Sequence, residues 1–187
     1  MVTIRNETFG DIDAREGLLD RVWGPARFQK TAERLREGRE PAEGLSLIAE
    51  HDGDVVGTVR LWHVCAGPGR PALLLGPLAV DETWRGQGIG GALTQRAVAA
   101  ARRRRYRAVL LVGDAAYYQR FGFSTEKTGS LWLPGPYERD RLLARELAPG
   151  ALDGARGLIG ATGRKESVPS IDVLIAQLNR HEARHAA

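Results

Sequence analysis

From residue 85 to residue 91 the chain reads Arg85-Gly86-Gln87-Gly88-Ile89-Gly90-Gly91, with four glycines in the six residues from Gly86. Before it lies Leu73 to Val80, an almost wholly apolar run of the kind expected for a strand covered on both faces. After it, Ile89, Ala92, Leu93, Ala97, Ala100 and Ala101 recur at helical spacing. A plain strand-to-helix turn seldom needs so many glycines. Their missing side chains let backbone N–H groups approach an anion, and the helix N-terminus adds partial positive charge. Phosphate binding is therefore the leading physical reading of this segment.

The flanking chain predicts an α/β domain with a mixed sheet. Ile4 to Thr8 reads as a short strand, and Asp11 or Asp13 can cap a helix bearing Ile12, Leu19, Val22 and Trp23. Gly24-Pro25 stops that helix, and a second short one reads from Phe28 through Ala32 and Leu35. Leu45 to Glu50 and Val55 to Val64 form a hairpin about Asp52-Gly53-Asp54. Val109 to Val112 reads as a second buried strand. Asp114 can cap a short helix through Tyr117 and Tyr118, which Gly122 terminates. Further short strands are expected at Phe123, Leu131 to Leu133 and Leu142 to Leu147. The expected domain spans residues 1–148. Residues 149–187 read as a flexible linker with Gly150, Gly154, Gly157, Gly160 and Gly163, then an amphipathic helix marked by Ile171, Leu174, Ile175 and Leu178.

Composition removes several function classes. Cys65 is the only cysteine, so an internal disulfide and a cysteine-rich zinc cluster are excluded. Met1 to Gly10 lacks the apolar core of a signal peptide, and no run approaches a membrane span, which makes the cytoplasm the expected location. The net charge of +4 suits either nucleic acid or a phosphate-rich small ligand. Arg102 to Arg105, at the end of the helix after the glycines, reads as a complement to the helix dipole rather than a nucleic-acid site.

The glycines satisfy two patterns. Gly86, Gly88 and Gly91 fit G-x-G-x-x-G, the dinucleotide fingerprint, and Asp114 lies 23 residues beyond, near where a ribose-binding acid belongs. Arg85, Gly88 and Gly90 fit [RQ]-x-x-G-x-[GA], which resembles motif A of the GNAT superfamily of N-acetyltransferases. Context favours the second, because several strands come first and too little chain follows for a doubly wound second half. The resemblance extends over residues 3–148. Leu78-Ala79-Val80 looks like the end of the central family strand, and Tyr117-Tyr118-Gln119-Arg120-Phe121-Gly122-Phe123 like the downstream family motif.

The resemblance implies a mixed, largely antiparallel sheet whose two central strands splay apart, with helices on its flanks. It implies acetyl-CoA as co-substrate and no metal. Leu78, Ala79 and Val80 would pair with the pantetheine arm, and Arg85, Gly86, Gln87, Gly88, Ile89, Gly90 and Gly91 would cradle the pyrophosphate. Asp114 and Tyr117 join them as expected cofactor contacts. A backbone N–H near Leu78 would stabilise the oxyanion, and Tyr118 matches the family's general acid. Glu16, Glu50, Glu82, His63 and a water chain remain alternatives for the base, since Leu75-Gly76-Pro77-Leu78 has no acid where the family strand often carries one.

The expected reaction moves acetyl directly from thioester to a primary amine, on a small molecule or a protein, with no nucleic-acid or membrane partner. A homodimer is compatible with the resemblance. The acceptor pocket is expected from residues 15–44 and 132–141, with Trp23, Phe28, Trp62 and Tyr137 as candidate lining. An acyl-CoA-sensing module without turnover and a nicotinamide-dependent oxidoreductase are the rival classes.

Overall fold

Alternation of side chains along one buried strand shows how the layers form. In the computed structural model, which describes residues 1–166, Ala108–Val112 is a central strand. Its Val109 and Leu111 face one apolar layer, and its Ala108 and Leu110 the other. Period-two burial on both faces is what a strand sandwiched between two layers requires.

The strands in chain order are β1 (Thr3–Asn6), β2 (Ser46–His51), β3 (Asp54–Ala66), β4 (Pro71–Val80), β5 (Ala108–Val112), β6 (Leu131–Trp132), β7 (Leu142–Glu146) and β8 (Gly157–Ala161). The helices are α1 (Ile12–Trp23), α2 (Ile89–Arg103) and α3 (Ala115–Gln119). The main sheet path is β1-β2-β3-β4-β5-β7. Along it every pairing is antiparallel except β4 with β5. The β2–β3 hairpin turns on Asp52 and Gly53, both at positive φ, as a two-residue Asp-Gly turn requires.

α2 covers one face through Ile89, Leu93, Ala97 and Ala101, four residues apart, which pack with Leu47, Val59, Leu73 and Val109. α1 covers the other face at the β2 end, where Leu18 and Leu19 meet Ile48, Val55 and Ala79. Among the described residues no helix is long and apolar enough to cross a membrane.

Three local readings are corrected. Residues 25–35 form two 3-10 segments, Pro25–Gln29 and Thr31–Leu35, rather than one α-helix. Asp11 does not cap α1 with its side chain. A 3-10 turn precedes the helix, and the carboxylate reaches back to accept from the Thr8 N–H and hydroxyl, each at 2.7 Å. The glycine-rich stretch after Pro149 buries Leu152, Ala155 and Ile159 and contains β8, which pairs with β3 and β6. The helix expected over 171–178 lies outside the described residues.

Candidate active site

β4 and β5 run parallel, yet they pair only at Leu73↔Val109 and Leu74↔Leu110. Beyond those two steps they diverge, and the β5-facing edge of β4 from Leu75 to Val80 has no strand partner among the described residues. An unpaired edge presents backbone donors and acceptors to any extended ligand laid beside it. At the splay the β3–β4 register shifts between Val59 and Leu61, so that Gly76 and Pro77 bulge opposite Arg60. Trp62 Nε1 donates to the Gly76 carbonyl at 2.6 Å and fixes the bulge from behind.

At the far end of that edge stands the N-terminus of α2. Gly88 is its N-cap residue and provides no capping side chain. The first intrahelical bond is Ala92 N–H to the Gly88 carbonyl, so the N–H groups of Ile89, Gly90 and Gly91 have no helical acceptor. The four glycines have two separate causes. Gly86 and Gly88 both sit at φ 80, a conformation L side chains rarely adopt, with open space around them. Gly90 and Gly91 have ordinary helical backbone, but a Cβ would lie 3.1 Å from Tyr117 Oη and 3.3 Å from Phe121 Cζ. Arg85 is half exposed and pairs with Glu82 at 3.2 Å.

α3 brings the downstream tyrosines against the same cleft. Asp114 caps it, accepting from the Tyr117 N–H at 2.7 Å. Tyr117 points towards Gly90, with the Arg120 guanidinium 4.4 Å from its ring centroid. Tyr118 lies over Gly113, where any Cβ would strike its ring. Burial, and secondarily the neighbouring Tyr117, push the Tyr118 phenol well above its ordinary value. It therefore stays protonated at neutral pH, and is a weaker acid than its reference pKa of ~10 suggests.

Tyr118 and Leu78 line one cavity of about 540 Å³ between the bulge and the loops on either side. Leu78 and Val80 face the α2 layer, whereas the side chain of Ala79 packs on the opposite face. Asp114 lines the cavity as well, but its carboxylate is engaged as a cap.

Sequence reasoning located the pocket segments and missed its charges. Trp23 and Tyr137 line the cavity. Phe28 is exposed outside it, and Trp62 is the buried clamp on the bulge. Glu16 and Glu50 are held in ion pairs with Arg27 and Arg5. Glu82 pairs with Arg85 at the glycine loop, and His63 contacts Tyr106; neither lines the cavity. The carboxylates that do line it, besides Asp114, are Glu33 and Glu138, and the cations include Lys30 and Arg36. No motif marks these four, which come from the 3-10 segment Thr31–Leu35, its two flanking residues and a loop.

Comparison with known proteins agrees with this geometry. Residues 42–125 match the family model described as acetyltransferase (GNAT) domain. The chain is 32% identical over 157 residues to the uncharacterized N-acetyltransferase YhbS of Escherichia coli K12, covering 83% of this chain and 93% of that one. The crystal structure of E. coli YhbS in complex with CoA superposes with a TM-score of 0.73 over 86% of this chain and 89% of that chain. A GNAT family acetyltransferase from Brucella melitensis in complex with acetyl-CoA is 26% identical, with a TM-score of 0.61 over 87% and 96% of the two chains. A mostly antiparallel sheet also lacks the doubly wound parallel frame of the dinucleotide reading. Open sheet, splayed central strands and relatives together establish that the chain belongs to the GNAT superfamily of N-acetyltransferases, an acyltransferase family.

Proposed function

We propose that the protein transfers an acetyl group from acetyl-CoA directly to a primary amine. The observation that carries this reading is the unpaired edge of β4 running from the cavity at Leu78 to the uncapped N-terminus of α2. That edge suits the two amides of a pantetheine arm, and the free N–H groups of Ile89, Gly90 and Gly91 suit a pyrophosphate. Leu78, Ala79 and Val80 would hold the arm through their backbone. Arg85, Gly86, Gln87, Gly88, Ile89, Gly90 and Gly91 would hold the phosphates. Tyr117, with its hydroxyl beside Gly90, is a further cofactor contact. Asp114 acts on the cofactor side by fixing the start of α3. Complexes of two relatives with CoA and acetyl-CoA support the assignment.

In the reaction the amine nitrogen attacks the thioester carbonyl carbon, the C–S bond breaks and an amide forms. The Leu78 N–H stabilises the developing oxyanion. The amine proton leaves through a lining carboxylate or water. The thiolate receives a hydrogen bond, and then a proton, from Tyr118, whose phenol remains protonated over the working range. A thiol-release assay with acetyl-CoA and a panel of primary amines tests the reading, with mass spectrometry of the products. One thiol per acetylated amine is expected. Tight acetyl-CoA binding with no amine-dependent release would leave a CoA-binding module instead.

A further inference from the structure

Most of the charged groups lining the cavity are engaged with one another or with the backbone. Arg27 is held by Glu16 and Asp20. Arg141 and Glu138 face each other at 3.9 Å near solvent. Asp114 is occupied by the α3 cap. The remainder is Lys30, Arg36 and one carboxylate, Glu33, which lies 2.7 Å from Arg36 Nη2.

Arg36 is only 7% exposed, and its buried Nε has no hydrogen-bond partner. Its Nη1 is aimed at the bulge, 3.8 Å from where a Cβ on Gly76 would sit. Lys30 has no carboxylate within ion-pair distance among the described residues, and its ammonium rests 3.5 Å above the Trp23 ring. Burial pulls both cations below their ordinary pKa. Arg36 and Arg141 lower Lys30 further, and Arg27 opposes the charge on Arg36. Arg36 lines the cavity and, with Glu33 as its only ion-pair partner among the described residues, keeps donor capacity for an anion there.

Gly76 precedes Leu78 by two positions, so Arg36 stands next to the place where the thioester would react, and Lys30 lines the same cavity. We propose that the acceptor is a small primary amine carrying an anionic group, a carboxylate or a phosphate, which Arg36 and Lys30 bind while the amine faces Leu78 and Tyr118. This rests on the acetyl-transfer reading above.

The test uses the full chain and matched pairs: glycine and β-alanine against their methyl esters, and phosphoethanolamine against ethanolamine. The anionic member of at least one pair should have a kcat/KM at least ten-fold higher, and which pair responds separates carboxylate from phosphate. Lys30→Gln, at an exposed position, should raise KM for the anionic amine about ten-fold with KM for acetyl-CoA unchanged. Arg36→Lys, which preserves the charge but not the fork, should fall between the two. Esters and ethanolamine used equally well, or an unchanged KM in Lys30→Gln, would overturn the proposal while leaving acetyl transfer intact. Calorimetric titration of the same amines into CoA-saturated protein reads anion preference without turnover. An anion preference in binding with no thiol release would sink acetyl transfer and keep the anion site.

Discussion

Tyr117 and Tyr118 are adjacent in the chain, stand edge to face with ring centroids 4.9 Å apart, and point to different parts of the cleft. Tyr117 reaches Gly90 at the start of α2, and Tyr118 lines the cavity beside Leu78. Neighbouring helical positions differ by about 100° in direction, so a single turn of α3 addresses both the expected phosphate end and the reacting end. Phe121 and Phe123 pack against Tyr118 and hold that division.

Removing the Tyr118 hydroxyl should therefore slow chemistry without disturbing cofactor binding. Tyr118→Phe is expected to lower kcat by about 10²-fold, within the usual range for a general acid, with the acetyl-CoA dissociation constant nearly unchanged. Because burial raises this phenol, Tyr118 should give no basic limb in the pH–rate profile below ~10, the ordinary phenol value. A limb below that value which disappears in Tyr118→Phe would contradict the assignment.

The two kinds of glycine in the loop should respond differently. Gly88→Ala forces a Cβ into left-handed backbone and should destabilise the fold by about 1–2 kcal/mol, and acetyl-CoA should bind at least ten-fold more weakly. Gly90→Ala carries no backbone strain but pushes on Tyr117 Oη, so its main effect should be on cofactor affinity. Gly129→Ala, with open space and ordinary backbone, is the neutral reference. Thermal unfolding and titration calorimetry on the three variants separate the effects.

The bulge in β4 depends on Trp62. Trp62→Phe retains most of the apolar volume but leaves the Gly76 carbonyl without its 2.6 Å donor. A loss of about 1–3 kcal/mol is expected from an unmet buried acceptor, with KM for the acceptor rising more than KM for acetyl-CoA. Equal changes in both constants would mean that the bulge does not shape the acceptor cavity.

Acid stability should carry the signature of Asp11. Hydrogen bonds from the Arg5 guanidinium, then from the Thr8 N–H and hydroxyl, hold its carboxyl well below the usual range. A carboxylate depressed in the folded state contributes stability above the unfolded pKa of ~3.9 and loses it as pH falls towards the folded value. Asp11→Asn should therefore be less stable than the parent at neutral pH. The gap should begin to narrow below about pH 4, so that denaturant titrations read a smaller difference at pH 3 than at pH 7.

What the sequence made legible is what is decided locally. Asp52-Gly53 fixes a hairpin turn by its backbone preference, Asp114 caps the helix that starts at the next residue, and the alternation about Val109 shows a two-sided strand. β8 was hidden because its glycines resemble a linker, while its place is set by pairing with β3, nearly a hundred residues earlier in the chain. Arg36 and Lys30 were hidden for a related reason. They flank the 3-10 segment Thr31–Leu35, and nothing short of the folded cavity shows that one guanidinium is buried there with a donor unmet. The ion pairs that engage Glu16 and Glu50 were hidden too, since Arg27 and Arg5 stand on other elements.

Thermal unfolding of the full chain with saturating acetyl-CoA, CoA, NADH and NADPH tests the central assignment most directly, because it needs no knowledge of the acceptor. Ligand at a hundred times its dissociation constant adds about 2.7 kcal/mol, or roughly 5–10 °C in a domain of this size. A shift with both CoA ligands, absent with both nicotinamides and reduced in Gly88→Ala, is the predicted result. A shift with the nicotinamides alone, or none with acetyl-CoA, would contradict the reading of the β4 edge and the α2 N-terminus as a CoA site.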